Sequence, residues 1–451
     1  MEGMSARDIF NGAFRQPPVK ELDVSKQPAR AGRVSVTGVS RIRPSFLDRL
    51  LQPTFSAQTV GQVAAEAREA GGRLQALGIA KQVAVELDTL SDGTLDVRLR
   101  CVDGGRLSLR TGVDVGGASE GGTVSVVARL PNLWGAGEWA EAEWARGTRT
   151  AAAARAVLGI PLDGVGRAAE ASLAQAEVDH RPYSGHVELR RLARMAVKAQ
   201  QGPVSHEVAY ALAWREVRGL GAAASPSLRA LAGHSVKSSV TYEVALDSRD
   251  SHTVPTAGSL LRATAELAGL GGDVRLARVQ AEAQASRPLA AGCVLSAGVQ
   301  AGALASLDAR GGGGGRVPPI SDRFFVGGAH SVRGFEYRGI GPRDGADALG
   351  GDVFYAVGLS VLTPPLLRST DALRGHVWAN AGQCALLLGG GKGSRTEFAR
   401  FLASPSAAIG VGLVYRHSMV RAEVSWCVPV SATTGDRLSA GLQFGLGFQF
   451  L

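Results

Sequence analysis

From Leu438 to Phe450 apolar side chains alternate without a break with polar or small ones, and the chain ends one residue later. Leu438, Ala440, Leu442, Phe444, Leu446, Phe448 and Phe450 fall on one face. Ser439, Gly441, Gln443, Gly445, Gly447 and Gln449 fall on the other. A period of two is that of a β-strand, whose successive side chains point to opposite sides of a sheet. A continuous apolar face on a final strand suits a membrane barrel, where the last strand must meet the first. An open edge there would leave bare N–H and C=O groups in hydrocarbon, so the sheet has to close.

The same alternation dominates after Gly105. Leu107, Leu109, Thr111, Val113 and Val115 oppose Arg106, Ser108, Arg110, Gly112 and Asp114. Ala140, Ala142 and Trp144 oppose Glu141, Glu143 and Ala145, and Val420, Ala422, Val424, Trp426 and Val428 oppose Arg421, Glu423, Ser425 and Cys427. One face suits lipid and the other a wet interior. Roughly 345 residues, at about 20–22 per strand with half its connections, make room for about sixteen strands. Ala151–Ala154 and Gly311–Gly315 read as turns or loops. The 60 glycines are nearly twice the usual share of about 7%. Many sit inside alternating segments, where glycine permits close approach and curvature. The chain is 45% hydrophobic but holds no uninterrupted apolar run of ~18 residues, so no transmembrane helix is expected.

Residues 1–29 are polar, Pro-containing and non-periodic, and read as a flexible tail. Residues 30–105 read as a small α+β unit. Val34 and Val36 start a strand, and Pro44–Leu51 fits a short helix with Pro in its first turn. Val60, Val63, Ala64, Ala67, Leu74 and Leu77 form a helical stripe that ends at Gly78. Val83, Val85 and Leu87, then Leu95, Val97, Leu99 and Cys101, alternate about an Asp92-Gly93 turn. The predicted architecture is a sixteen-stranded transmembrane β-barrel over 106–451, preceded by this unit.

Net charge is +9, from 49 basic and 40 acidic residues. The basic residues are scattered through strands rather than gathered in a stripe, which argues against nucleic acid and for a charged lumen or a rim touching lipid phosphates. Cys101, Cys293, Cys384 and Cys427 show no metal-ligand spacing and read as isolated thiols. The N-terminus lacks an apolar core of about 7–15 residues, so no secretory signal is visible. That predicts synthesis in a eukaryotic cytosol and insertion into an organelle's outer membrane. Gly117-Ala-Ser119-Glu-Gly121 matches a nucleophile-elbow pattern, but it lies in a turn between strands, where no elbow can form. The glycine run at 311–315 lacks the Lys-Ser/Thr of a phosphate loop. No enzyme activity, cofactor or metal is expected.

Asp322-Arg-Phe-Phe-Val-Gly-Gly-Ala-His-Ser-Val-Arg-Gly-Phe-Glu336 continues to Gly339-Ile-Gly-Pro342 and Leu349-Gly-Gly351. This segment resembles the superfamily of POTRA-plus-barrel assembly proteins, with Val332, Arg333, Gly334 and Phe335 at its signature loop motif. Val377-Trp-Ala-Asn-Ala-Gly382, Trp426-Cys-Val-Pro429 and the ending from Gly435-Asp-Arg437 are similar to the mitochondrial sorting and assembly machinery barrel subunit. Asn132-Leu-Trp-Gly-Ala-Gly-Glu138 resembles the turn that opens the barrel in this superfamily. The strand–helix–helix–strand–strand order over 30–105 is that of a POTRA domain. The stretch from about Ala151 to Leu289 is poorly matched.

The resemblance implies an insertase that folds and inserts β-barrel precursors in the mitochondrial outer membrane, with its POTRA domain in the intermembrane space. Its implied partners are unfolded β-barrel precursors, accessory subunits and membrane lipids. The loop carrying Arg333 would fold into the lumen against Trp378 and Asn380. In bacterial relatives an acid stands at that point; here Asn380 cannot neutralise Arg333, so several weaker contacts are expected instead of a tight ion pair. A lateral gate would lie between a first strand at about Arg106–Val115, with Leu107, Leu109 and Val113, and the last strand. Gln443, Gly445, Phe448 and Phe450 occupy the positions of the family's β-signal. The alternatives are a passive porin-like channel, which needs neither POTRA domain nor signature loop, and a polypeptide-conducting translocon of the same superfamily.

Overall fold

A computed structural model describes residues 24–115, 121–163, 166–308, 317–367, 370–388, 395–417 and 420–447. The chain forms two compact units, Met1–Gly105 and Arg106–Leu451.

The first unit is a three-stranded sheet with two helices. Strand β1 (Ala31–Thr37) lies parallel to β3 (Leu95–Asp103), which pairs antiparallel with β2 (Ala80–Thr89). Helix α1 (Pro44–Ser56) places Pro44 in its first turn, where the missing N–H is harmless. Helix α2 (Val60–Ala76) is capped by the Thr59 side chain, which accepts the Gln62 N–H. It ends where Gly78 takes φ 73°, the left-handed conformation that stops a helix cleanly. The apolar stripe read from the sequence becomes the core: Val63, Ala67 and Leu74 of α2 are buried with Phe46 and Leu50 of α1 and Val97 and Leu99 of β3.

The second unit is a closed barrel of sixteen antiparallel strands. Its first half comprises β4 (Ser108–Val115), β5 (Gly122–Pro131), β6 (Trp139–Gly147), β7 (Thr150–Pro161), β8 (Arg167–Asp179), β9 (Val187–Gln201), β10 (Val204–Arg218) and β11 (Gly233–Asp247). The second half begins with β12 (Gly258–Gly272), β13 (Leu276–Pro288) and β14 (Val294–Ser306). After a loop bearing the two-residue strands β15 (Arg343–Asp344) and β16 (Asp347–Ala348) come β17 (Val353–Leu367) and β18 (Thr370–Ala385). Strands β19 (Ser406–His417), β20 (Val420–Ser431) and β21 (Gly441–Gly447) complete the ring. Because the number is even, β4 begins and β21 ends at the same end of the barrel. The long connections, including 307–352, emerge at the other end, the far end.

Alternation sorts the side chains as the period predicts. Leu173 and Met195 are each 66% exposed and Trp426 is 58% exposed on the outer wall, whereas Arg421, Glu423 and Ser425 are buried inside. No helix of the described residues is long and apolar enough to cross a membrane.

Four expectations need correction. Ala151–Ala154 lies within β7, paired with β6 and β8, so neighbouring strands override alanine's weak β-preference. Asn132–Glu138 is the β5–β6 connection rather than the opening of the barrel; Asn132 takes φ 54° and Glu138 accepts the Ala136 N–H at 2.8 Å. Leu107 lies one residue before β4. Leu438–Ala440 alternates in sequence but precedes β21, because its backbone pairs with the lumen loop instead. Most of the nucleophile-like pattern (117–120), the glycine run 311–315, most of the N-terminal tail, and Phe448 and Phe450 lie outside the described residues.

Candidate functional site

Residues 307–352 join β14 to β17, and their described part folds back into the barrel. Phe324, Val326, Val332, Phe335 and Ile340 of this loop are buried with Leu304, Phe354, Trp378 and Ala408 of the wall in one apolar cluster. Such a plug has to satisfy its own backbone and charges. Arg323 donates to the carbonyls of Pro318 and Leu349 at 2.8 and 3.0 Å, and burial pulls its guanidinium down to about 10, so it stays charged at neutral pH.

Arg333 is 3% exposed and ends in an ionic knot. Its Nε lies 3.0 Å from Glu423 Oε1, and its guanidinium carbon stands 5.1 Å from the centre of the Trp378 ring. Arg421 Nη2 reaches Glu423 Oε2 at 2.7 Å, and His376 Nδ1 lies 3.3 Å from Oε1. The Trp378 indole donates to Ser425 Oγ at 3.3 Å, and Ser425 Oγ donates to Glu423 Oε1 at 2.9 Å. One carboxylate thus holds two arginines while the indole face screens one of them.

This arrangement corrects the expectation of weak contacts. The acid is supplied by β20, two strands beyond Asn380 on β18. Asn380 is buried, but neither atom of its amide has a hydrogen-bond partner among the described residues. Glu423 was legible as an inward-facing residue of an alternating strand; its role was not, because that depends on which strands neighbour each other.

Backbone conformation seats the motif. Gly334 takes φ +84°, and a Cβ there would stand 2.7 Å from the Ala408 Cβ. Gly410, across β19, leaves room for Trp378: a Cβ would lie 2.3 Å from its ring. A second anchor, missed in the sequence, ties the loop to the opposite wall. Asp322 meets Arg215 at 2.9 Å and Lys237 at 2.8 Å, and Lys237 also meets Glu266 at 2.7 Å.

The loop is also stitched to the final segment of the chain. Gln443 accepts the Gly334 N–H and donates to the Phe335 carbonyl. Ser439 N–H donates to the Gly334 carbonyl at 2.9 Å, Glu336 N–H to the Arg437 carbonyl at 3.0 Å, and Leu438 bridges Phe335. Gly445 stands opposite Glu423 in the β20–β21 register. On its other side β21 meets β4 through one bridge among the described residues, Leu446 with Val115. Leu109 and Val113 of β4, like Leu442 and Phe444 of β21, are exposed on the outer wall.

A family model described as the Omp85 superfamily domain matches residues 139–450. A sorting and assembly machinery component 50 homolog of Xenopus tropicalis is 30% identical over 97% of this chain and 94% of its own length. The chain belongs to the Omp85 superfamily, in its sorting and assembly machinery component 50 branch. The human homolog is also 30% identical over 97% of the chain, covering 93% of its own length. A SAM50-like protein of Schizosaccharomyces pombe is 29% identical over 95% of the chain and 92% of its own length. The fold of this Omp85 chain is similar to that of BamA from Haemophilus ducreyi lacking POTRA domains 1–3. That likeness has TM-score 0.74 at 17% identity and covers 93% of this chain and 85% of that one. The match over 139–450 takes in the middle of the barrel, where the sequence alone offered no resemblance.

Proposed function

We propose that this chain is the central insertase of a mitochondrial outer membrane, folding and inserting β-barrel precursors by strand pairing at a lateral gate between β4 and β21. The observation that carries this reading is the stitching of the lumen loop to the last strand: Gln443 of β21 holds the Gly334 N–H and the Phe335 carbonyl, so the signature loop rests on the strand that meets β4. A precursor strand that pairs with a freed edge satisfies groups whose exposure to lipid costs several kcal/mol each. Successive hairpins can then add until the newcomer closes and leaves, with no nucleotide required. Leu109 and Val113, with Leu107 just before them, would lie on the first edge. Gln443, Gly445, Phe448 and Phe450 would mark the last strand as a β-signal for another copy of the same machine.

The unit over 30–105 serves in this reading as a POTRA domain in the intermembrane space, receiving substrates by strand addition. Accessory subunits complete the machine, as the name of the relatives implies. A passive channel fits less well, because the described lumen loop occupies the interior and is anchored on two walls. The deciding experiment reconstitutes the purified chain in lipid vesicles and adds an unfolded mitochondrial porin. Insertase activity predicts faster appearance of protease-resistant, heat-modifiable porin. No acceleration together with large constitutive conductance would instead establish a channel.

A further inference from the structure

We propose that His180, His186 and Glu188 form a binding site for one divalent transition-metal ion of the zinc type, at the far end of the barrel. No metal was expected from the sequence, since no short Cys/His pattern is present. The turn between β8 and β9 nevertheless brings these three residues together. Helix α3 (Arg181–Ser184) folds the segment back so that the His180 N–H donates to the His186 carbonyl at 2.9 Å. One donor atom from each residue then lies within 4.8 Å of the other two. His180 Nε2 is 3.7 Å from Glu188 Oε2. Ligands at about 2.0–2.2 Å around a tetrahedral ion stand roughly 3.4 Å apart, so small side-chain rotations close the set.

Hydrogen bonding to the far side of each ring favours ligation. His186 Nδ1 sits against the Ser184 carbonyl, which can only accept, so Nδ1 carries the proton and Nε2 keeps its lone pair. His180 Nδ1 is 3.1 Å from the Tyr183 hydroxyl, which can accept its proton and leave Nε2 as the ligand. Outer partners of this kind fix ring orientation in metal sites. Both histidines are buried, at 6% and 1% exposure. Two imidazoles and one carboxylate suit zinc, cobalt or nickel, and offer too few oxygens for calcium or magnesium. The Arg338 guanidinium lies over the Tyr183 ring, 5.1 Å from its centre. Burial first, and then the charge of Arg338, bear on both histidines and make neutral imidazoles the favoured form.

An ion here would stiffen a surface on which the lumen loop rests. Ser184 Oγ donates to the Ala348 carbonyl at 2.8 Å, and a Cβ on Gly185 would stand 2.8 Å from Asp347 Oδ1. The test uses the full chain without a histidine tag, in detergent, titrated with Co2+ and followed by visible d–d absorption and equilibrium dialysis. One Co2+ per chain, displaced by Zn2+, is expected. Glu188→Gln and His180→Gln should each weaken binding by more than about tenfold, and Tyr183→Phe, which keeps every ligand, by about tenfold. His206→Gln, on β10, should change nothing. Heat-modifiable migration verifies that each variant is folded; if Glu188→Gln does not fold, Tyr183→Phe carries the comparison. The site is refuted if folded wild type binds no stoichiometric Co2+, or if binding is indifferent to all three site substitutions.

Discussion

Gln443 on the last strand holds the lumen motif by its backbone: its Oε1 accepts the Gly334 N–H at 3.1 Å and its Nε2 donates to the Phe335 carbonyl at 3.3 Å. The amide of one side chain thereby imitates a strand neighbour for two consecutive loop residues. Anything that moves β21 away from β4 also pulls on the loop. Gln443→Leu removes both bonds and strands the Gly334 N–H, at a cost of about 1–3 kcal/mol. Limited proteolysis should then cut between 332 and 341 faster than in wild type, with the ring still closed. Unchanged cleavage would show that the other stitches, such as Ser439 N–H to the Gly334 carbonyl, suffice.

The ionic knot predicts an asymmetry. Removing Arg333 leaves Glu423 paired with Arg421, whereas removing Glu423 leaves Arg333 and Arg421 buried without their common anion. Breaking a buried pair by deleting one partner typically costs about 3–5 kcal/mol. Glu423→Gln should therefore lower the urea midpoint more than Arg333→Ala. The double variant should lose less than the sum of the two, since both act on one interaction. Additive losses would mean that Arg333 and Glu423 do not act together.

Gly410 predicts a steric effect with no charge involved. A Cβ there would press on the Trp378 ring at 2.3 Å. Gly410→Ala should destabilise by about 1–3 kcal/mol as the indole is displaced. Trp378→Ala should relieve only part of that penalty in the pair, because the Trp426 carbonyl oxygen would stand 2.5 Å from the same Cβ. Trp378→Ala alone leaves a cavity costing about 3–5 kcal/mol. Unfolding midpoints of the three variants decide the point.

Period and turn chemistry made the strands legible, because a buried or lipid-facing side chain has to recur every second residue. Thus the outward Leu442 and Phe444, the inward Gln443, and the Gly78 helix stop could all be read from the chain. Tertiary register was not legible. The resemblance sets the Arg333 loop against Asn380, which shares the inward face of β18 with Trp378, yet the partner is Glu423, brought near by the β18–β19–β20 order. A lone acid beside Arg421 on an inward face was the available signal. Alanine runs mislead for a related reason: Ala151–Ala154 pairs because β6 and β8 flank it, not because alanine favours a strand. The Asp322–Arg215–Lys237 anchor joins residues more than eighty positions apart, and no local pattern reports that.

The gate can be tested most directly by locking it. Val115 and Leu446 are bridge partners, and such antiparallel pairs hold their Cα atoms about 4.5–5.5 Å apart, within disulfide range. With Val115→Cys and Leu446→Cys, oxidation should abolish insertion of newly made barrel precursors, and reduction should restore it, at unchanged protein level. Full insertion by the oxidised, quantitatively crosslinked protein would contradict strand pairing at this join.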